Sequence, residues 1–495
     1  MELAVLIFLG SGLFLGWSLG ANDAANVFGT AVGTRMVSFA TAAIVCSVFV
    51  VLGAVISGAG AAHTLGKLGS INALAGSFMA ALAAAATVYA MTRAGIPVST
   101  SQAIVGAIVG WNLFSNEVTD LNALVKILLT WVACPVLAGC VAVVLFKAVQ
   151  WTLNKVKLHL LRLDAYTRIA LIGAGAFGAY SLGANNIANV MGVFVSVSPF
   201  TDFNLLDDFT LTSVQQLFLL GSIAIAVGVF TYSKKVMLTV GNQLMPMSPI
   251  NAWVVVVAHS VVLFVFASQG LEQMLADANL PTIPLVPVSS SQAVIGGVIG
   301  LGLLRGGRSI RWGVLTQITT GWITTPFIAA SICFVGLFFL QNVFDQQVYK
   351  PVRYAITQGN LYQLQHQGVV LKNAEKHIGQ GFDSSGEMID YLSADMPLSS
   401  SHVSLTMELT KVRQVLITSG KIERAHFSRL RNEQFDALQK LQGRSFDFAW
   451  ELENALAAQS AQWKRRPDIP KNRAHNQAIA DKLDYVTRIF EVDDQ

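Results

Sequence analysis

The chain has 495 residues, of which 53% are hydrophobic and only 13% charged, against about a quarter charged in an average soluble protein. That excludes a wholly soluble globular protein, and a net charge of +4 is too small to point to nucleic acid as a partner. The charges are also segregated, with 14 Lys/Arg and 11 Asp/Glu in residues 1–349 against 19 and 18 in residues 350–495, so a boundary falls near Lys350.

Apolar runs long enough to cross about 30 Å of hydrocarbon begin near Leu3, Val37, Ile71 and Leu121, then near Arg168, Leu211, Ala252 and Trp312. Shorter ones start at Pro97 and Pro287. The first run follows Glu2 and lacks a basic leader, so it reads as a retained span rather than a cleaved signal peptide. Counting the short segments as crossings gives five, a basic link, and five more. An odd-numbered repeat must enter the membrane the second time with opposite orientation. The expected fold is therefore an all-α polytopic membrane protein, an inverted-repeat transporter with broken or re-entrant helices, followed by a C-terminal helical soluble domain. Its expected parts are a first membrane repeat over 1–150, a basic cytoplasmic link over 151–167, an inverted second repeat over 168–345, and the soluble domain over 350–495.

Loop charges test the topology independently, because cytoplasmic loops are enriched in Lys and Arg. Arg35, Arg93, the link with Lys155, Lys157 and Arg162, then Lys234-Lys235, then Arg305, Arg308 and Arg311 share one side in this count, and only Lys67 is out of place. The acidic loops Glu117–Asp120, Asp202–Asp208 and Glu272–Asp277 fall on the other. Both termini are thus expected outside the cytoplasm, in a multi-pass protein surrounded by the lipid of the plasma (inner) membrane. Re-entrant short segments would change the count without changing the sidedness of the loops.

Two motifs occur twice within these apolar runs. Gly20-Ala21-Asn22-Asp23-Ala24-Ala25-Asn26-Val27 returns as Gly183-Ala184-Asn185-Asn186-Ile187-Ala188-Asn189-Val190. A carboxylate in an apolar span costs several kcal/mol unless it is paired or faces a polar cavity, so Asp23 marks a functional site. Oxygen-rich side chains beside small residues suit Na⁺: Asp23 supplies the charge, with Asn22, Asn26, Asn185, Asn186 and Asn189 as neutral donors, and Na⁺ is placed at Asp23 and Asn22. The bland alternative is that the Asn residues only brace helices through hydrogen bonds.

The second motif is Pro97-Val98-Ser99-Thr100-Ser101-Gln102-Ala103-Ile104-Val105-Gly106 against Pro287-Val288-Ser289-Ser290-Ser291-Gln292-Ala293-Val294-Ile295-Gly296. Proline ends the preceding helix, hydroxyl residues occupy N-cap and first-turn positions, and an apolar helix follows. The free N–H groups and positive dipole end of such a helix hold an oxyanion without any formal cation. Ser99, Thr100, Ser101, Gln102, Ser289, Ser290, Ser291 and Gln292 are accordingly the candidate anion-binding residues. Capping alone explains hydroxyl clusters but does not require Gln102 and Gln292 at one offset. Gly106, Gly110, Gly296 and Gly300 are read as close-packing residues. Trp131–Pro135 against Trp322–Pro326 carries the repeat to the last span of each half, with a structural role. His63 and His259 lack counterparts in the repeat and are read as loop or packing residues. Cys46, Cys134, Cys140 and Cys333 lie in apolar segments without metal-ligand spacing, which favours packing. No nucleophile–base–orienter set is found, so an enzyme is not expected.

These paired motifs identify residues 1–345 as similar to the PiT family of inorganic phosphate transporters. The resemblance implies an inverted-repeat, homodimeric carrier that moves phosphate with Na⁺ or H⁺, the hydroxyl-bearing segments taking phosphate and the Asn/Asp helices the cation. Two departures stand out. The family commonly has Asp in both copies of the first motif, where this chain has Asn186 in the second. It also often has His where Gln102 and Gln292 stand, and Gln does not titrate. Na⁺-coupled phosphate symport by alternating access is the leading expectation. The alternatives are an H⁺-coupled phosphate carrier, a sulfate carrier, or an anion sensor signalling through the C-terminal domain. In that domain, apolar residues at helical spacing (Leu405, Leu409, Val412, Leu416; Phe427, Leu430, Phe435, Leu438; Ile479, Leu483, Val486, Ile489), broken at Gly420, Gly443 and Pro467–Pro470, predict a small bundle of antiparallel helices.

Overall fold

The structure, a computed structural model, describes residues 3–69, 71–94, 96, 98–156, 159–206, 209–234, 236–237, 247–308, 310–395, 398–424 and 430–492. Of the residues picked out from sequence, Glu2, Pro97, Lys157, Asp208, Lys235 and Phe427 lie outside these, as do the side chains of Leu3, Ala24 and His63. The chain forms two compact units: Met1–Ser115, Thr119–Gln269 and Ile283–Lys350 make one, and Asn116–Val118, Gly270–Thr282 and Pro351–Gln495 the other.

The first unit is built from α1 (Leu3–Gly33), α2 (Phe39–Ser57), α3 (Ala59–Leu68), α4 (Leu74–Arg93), α5 (Thr100–Ser115), α6 (Leu121–Lys155), α7 (Leu160–Met191), α8 (Ser213–Thr231), α9 (Pro249–Val265), α11 (Ser290–Leu304) and α12 (Trp312–Asn342), whereas α10 (Gln269–Asp277) belongs, from its second residue on, to the second unit. A small hairpin of β1 (Phe203–Leu206) and β2 (Phe209–Leu211) precedes α8. Helix starts follow local chemistry. Asp120 Oδ1 accepts from the backbone N–H of Asn122 at 2.8 Å and of Ala123 at 3.1 Å to open α6. Thr212 and Gln215 form a reciprocal capping box at α8, and Ser248 caps α9 with Pro249 in its first turn.

Among the described residues, six helices are long and apolar enough to cross a membrane alone, α1, α2, α4, α6, α8 and α12, or seven if α9 and α10, bent by 68°, form one span. The ten crossings expected from sequence are therefore not ten full spans. α5 and α11 have only 16 and 15 residues, and α7 carries charges at one end and the Asn motif at the other. The basic link is largely helical, since α6 runs to Lys155 and α7 starts at Leu160.

Helix packing exchanges partners between the halves of the sequence. α5 lies along α12 and α11 along α6; α1 packs on α8 and α7 on α2; α4 meets α1 and α9 meets α7. Glycines set the closest of these approaches. A Cβ on Gly106 would overlap the carbonyl of Pro326, and one on Gly296 the carbonyl of Pro135. Gly110 and Gly300 meet Ala330 and Gly139 in the same manner. The four glycines are packing residues, as read from sequence, and their partners include the prolines of the third duplicated motif. Cys46, Cys134 and Cys333 are buried free thiols, whereas Cys140 lies on the exposed side of α6.

The second unit departs from an all-helical bundle. It pairs β3 (Tyr354–Ala355) with β4 (Gly381–Phe382) and β5 (Val412–Leu416) with β6 (Ser445–Phe448), among α13 (Gln358–His366), α14 (Ala374–His377), α15 (Ser385–Asp395), α16 (Ser400–Thr410), α17 (Ser419–Arg424), α18 (Asn432–Gln439), α19 (Ala449–Gln459) and α20 (Arg473–Phe490). The run Leu405, Leu409, Val412, Leu416 crosses from α16 into β5, because residues four apart share a face in a helix and in a strand alike. Gly420 falls inside α17 rather than breaking a helix.

This unit contains an internal duplication that periodicity did not reveal. Ile356 bonds to Gln380 and Gly379 as Ile417 bonds to Arg444 and Gly443, and both glycines hold φ near +80°, at +83° and +82°. Asp383 N–H donates to Glu387 Oε2 and Asp447 N–H to Glu451 Oε2, each at 3.1 Å. Ile356, Leu361, Phe382, Met388 and Leu392 in one core match Ile417, Ile422, Phe446, Leu452 and Leu456 in the other.

Within this unit Glu117 Oε2 accepts from Ser385 Oγ at 2.5 Å and Tyr354 OH at 3.2 Å. Burial and the neighbouring Glu117 push the Tyr354 phenol above its ordinary range. Burial, with a smaller contribution from Arg413, pushes the Lys411 ammonium down to about 8 from an ordinary 10.5. A lowered folded-state value means that Lys411 opposes folding while charged, and the penalty fades as pH rises from 8 towards 10.5. Lys411→Met is expected to raise the melting temperature of the purified full chain at pH 7, by a margin that narrows between pH 8 and 10. A margin that is constant or widens contradicts this reading.

Candidate functional site

All fourteen residues singled out in the two duplicated motifs are buried, none more than 3% exposed. The Asn/Asp motifs sit in the C-terminal half of α1 and at the C-terminal end of α7, and the hydroxyl motifs at the N-termini of α5 and α11. Hydrogen bonds join the four into one polar centre.

The two hydroxyl motifs are crosslinked in a reciprocal way. Ser101 Oγ donates to the Val288 carbonyl at 3.1 Å, and Ser291 Oγ donates to the Val98 carbonyl at 3.3 Å. Ser99 and Ser289 have the capping role, accepting from Gln102 N–H at 3.3 Å and Gln292 N–H at 3.2 Å. Ser289 Oγ also lies 3.0 Å from Ser291 Oγ. Thr100 and Ser290 therefore remain as the first-turn hydroxyls outside this crosslink and these caps, beside two helix N-termini.

Side chains of α1 and α7 reach into the same place. Asn26 Nδ2 donates to Asp23 Oδ1 at 3.3 Å and to Ser290 Oγ at 3.1 Å. Asn22 Nδ2 donates to the Val98 carbonyl at 3.2 Å and lies 3.4 Å from Asp23 Oδ1. Thr100 Oγ1 is 3.5 Å from Asp23 Oδ2. In the other half, Asn189 Nδ2 donates to Ser101 Oγ at 2.8 Å and Asn186 Oδ1 at 2.9 Å, with Ser101 Oγ 3.5 Å from Asn186 Oδ1. Asn26 and Asn189 thus each reach a hydroxyl of the opposite half. Asp23 has no basic partner among the described residues; amides and a hydroxyl surround it.

Several polar atoms in this centre are buried without a protein partner: the acceptors Gln102 Oε1, Gln292 Oε1 and Asn189 Oδ1, and the donor Asn186 Nδ2. Buried polar groups are nearly always satisfied, so these atoms point to a ligand or ion. Donors at two helix N-termini can hold an anion, and carboxylate and amide oxygens a cation.

Sequence reasoning missed one member of the centre. His259 of α9, fully buried, places Nε2 3.0 Å from Ser290 Oγ. A titratable residue inside an apolar run was the available signal, set aside because the repeat does not duplicate it.

Reciprocally packed apolar helices around a buried, duplicated polar centre define a multi-pass membrane transport protein. Residues 19–333 and 278–449 match the model of the Phosphate transporter family, and the chain belongs to that family. The second match passes the boundary near residue 350, further than the motifs alone reached. A protein of Methanocaldococcus jannaschii provisionally named a phosphate permease is 26% identical over 336 residues, covering 68% of this chain and 97% of its own length. The sulfate permease CysP of Bacillus subtilis is 28% identical over 346 residues, covering 68% and 87%. A solved structure described as the sodium-dependent phosphate transporter shares the fold, with a TM-score of 0.53, 23% identity, and coverage of 68% of this chain and 100% of its own.

Asn185 is the most heavily committed amide: Nδ2 donates to the Val286 carbonyl at 3.1 Å and Oδ1 accepts from Val288 N–H at 2.8 Å. Asn185→Leu leaves two buried backbone groups unpaired, at about 1–3 kcal/mol each, and is expected to lower the melting temperature of detergent-purified protein clearly more than Asn186→Leu. Equal shifts would show that Asn185 does not brace the segment before α11.

Proposed function

We propose that this protein carries inorganic phosphate across the plasma membrane by Na⁺ symport with alternating access. The observation that carries the reading is the joining of Asp23 to the hydroxyl-bearing N-termini of α5 and α11 through the amides of α1 and α7. Thr100 and Ser290, with the first-turn amides, hold the anion, while Ser101 and Ser291, whose hydroxyl hydrogens go to the Val288 and Val98 carbonyls, tie the two motifs together. Two helix dipoles supply the positive potential that no Arg or Lys provides. Asp23 supplies the negative charge of a cation site, aided by the oxygens of Asn22 and Asn26. Asn186 replaces that charge in the second half, so Asn186 and Asn189 make a weaker, neutral site, and Asn185 acts mainly as a brace.

The unpaired acceptors Gln102 Oε1 and Gln292 Oε1 favour phosphate over sulfate. Phosphate near neutral pH retains at least one O–H that can donate to such an acceptor, and sulfate has none, so sulfate would leave the acceptors unsatisfied. Sulfate is the second reading because of the similarity to a sulfate permease.

The exchanged helix partners support an inverted repeat, in which one bundle moving against the other opens the centre alternately to each side. The loops Asn116–Val118 and Gly270–Thr282 belong to the same compact unit as the chain beyond residue 350. The positive-inside bias of the loop charges supports a soluble C-terminal domain outside the cytoplasm. The carrier works as a homodimer in lipid.

Uptake of radiolabelled phosphate into proteoliposomes tests the reading. Replacing external Na⁺ by choline is expected to cut uptake at least tenfold, and Asp23→Asn to abolish the difference between the two cations. A hundredfold excess of unlabelled sulfate is expected to compete weakly. Undiminished uptake in choline removes Na⁺ coupling, and strong competition transfers the assignment to sulfate.

A further inference from the structure

His259 and Asn26 meet at one oxygen. Ser290 Oγ takes a hydrogen bond from Asn26 Nδ2 at 3.1 Å and lies 3.0 Å from His259 Nε2. The second hydrogen of the Asn26 amide is occupied by Asp23 Oδ1 at 3.3 Å. A single path, Asp23–Asn26–Ser290–His259, therefore runs from α1 through α11 to α9, across the two halves of the sequence.

Counting donors along this path decides the direction of its last bond. A hydroxyl has one hydrogen and two lone pairs, and a neutral imidazole carries one N–H. If Nε2 accepted, Ser290 would spend its only hydrogen on His259, and the imidazole N–H would sit at Nδ1, which is buried without a partner. Orphaned buried N–H donors are rare and costly, whereas an under-satisfied acceptor is tolerated more often. With Nε2 donating, the orphan is the acceptor Nδ1. Both lone pairs of Ser290 Oγ are then filled, one by Asn26 and one by His259.

We infer that His259 is a positioning residue that makes Ser290 an obligate hydrogen-bond donor to the transported anion. The hydroxyl hydrogen has only a ligand acceptor to turn to, and no lone pair remains to coordinate a cation. His259 and Asn26 thereby assign Ser290 to the anion and exclude it from the Na⁺ site. The inference rests on the proposed reading of Ser290 as an anion ligand.

Phosphate uptake by four variants in Na⁺-containing proteoliposomes tests it: Ser290→Ala, His259→Phe, His259→Gln, and Ser290→Ala combined with His259→Phe. Ser290→Ala is expected to raise the phosphate half-saturation concentration roughly tenfold, the size of one hydrogen bond to a charged group. His259→Phe should raise it comparably, with the maximal rate and the Na⁺ half-saturation within about twofold of the parent, because neither reports the hydroxyl's direction. The double variant should be no worse than Ser290→Ala, as two members of one interaction require. His259→Gln, whose amide N–H₂ can stand in for the Nε2–H, should restore most of the affinity. It also keeps the test decisive if the Phe variant misfolds. A raised half-saturation in Ser290→Ala without one in the His259 variants, or effects that multiply in the double variant, overturns the role of His259. No change in Ser290→Ala overturns the anion reading beneath it.

Discussion

Non-helical backbone at membrane depth must find its hydrogen bonds within the protein, since hydrocarbon offers none. The rest of this structure depends on how that requirement is met. Val98 and Ser99 before α5 and residues 280–289 before α11 are not helical, and their buried backbone groups are taken by side chains: Val98 by Asn22 and Ser291, Val286 and Val288 by Asn185 and Ser101. The amides that brace the broken backbone are neighbours, in the same motifs, of the groups left for ligand. Under the proposed reading, bracing Asn and ligand-facing Asn are two duties of one motif, not rival explanations of it. The reciprocal glycine contacts, Gly106 on Pro326 and Gly296 on Pro135, bring α5 and α11 close against the long helices of the opposite half.

Duplication is what made the centre legible. A buried polar group appearing once in an apolar span has many explanations, but two ordered motifs repeated in sequence imply one constraint imposed twice. All fourteen residues they nominated are buried, and hydrogen bonds join the four motifs that hold them. What stayed hidden had physical causes. His259 breaks the repeat, so a method that weighs symmetry discounts it. The capping duty of Ser99 and Ser289 cannot be separated from ligand binding until helix starts are fixed to the residue. The crossing count failed because α5 and α11 are helices too short to span, and apolar composition does not report where a helix begins. In the C-terminal unit, Val412 and Leu416 sit four apart in a strand and imitate a helix. Its duplication is carried by short matching words, Ile356-Thr357-x-Gly359 against Ile417-Thr418-x-Gly420 and Gly379-x-x-Phe382-Asp383-x-x-x-Glu387 against Gly443-x-x-Phe446-Asp447-x-x-x-Glu451, which apolar periodicity does not weigh.

The inequality of the two halves gives the site a direction. Asp23 is the lone carboxylate among the fourteen residues, with Asn186 as its counterpart. In the proposed carrier an anion nearby experiences one negative charge fewer than in a site with two carboxylates, which would ease phosphate binding while concentrating cation affinity on one side. Asn26 is the physical link: its amide bonds to the Asp23 carboxylate and to Ser290 together. A cation that draws Asp23 towards it changes how Asn26 is held, and so bears on the hydroxyl offered to the anion.

Coupling of this kind is reciprocal in binding free energy. The central claim, that cation and anion sites are joined through Asp23, Asn26 and Ser290, is tested most directly by equilibrium binding to detergent-purified protein, with phosphate titrated at several fixed Na⁺ concentrations and Na⁺ at several fixed phosphate concentrations. The account predicts that saturating Na⁺ tightens phosphate binding at least fivefold, that saturating phosphate tightens Na⁺ binding by the same factor, and that Asn26→Ala reduces both factors together. Phosphate binding indifferent to Na⁺, or coupling that survives the loss of Asn26 intact, would contradict it.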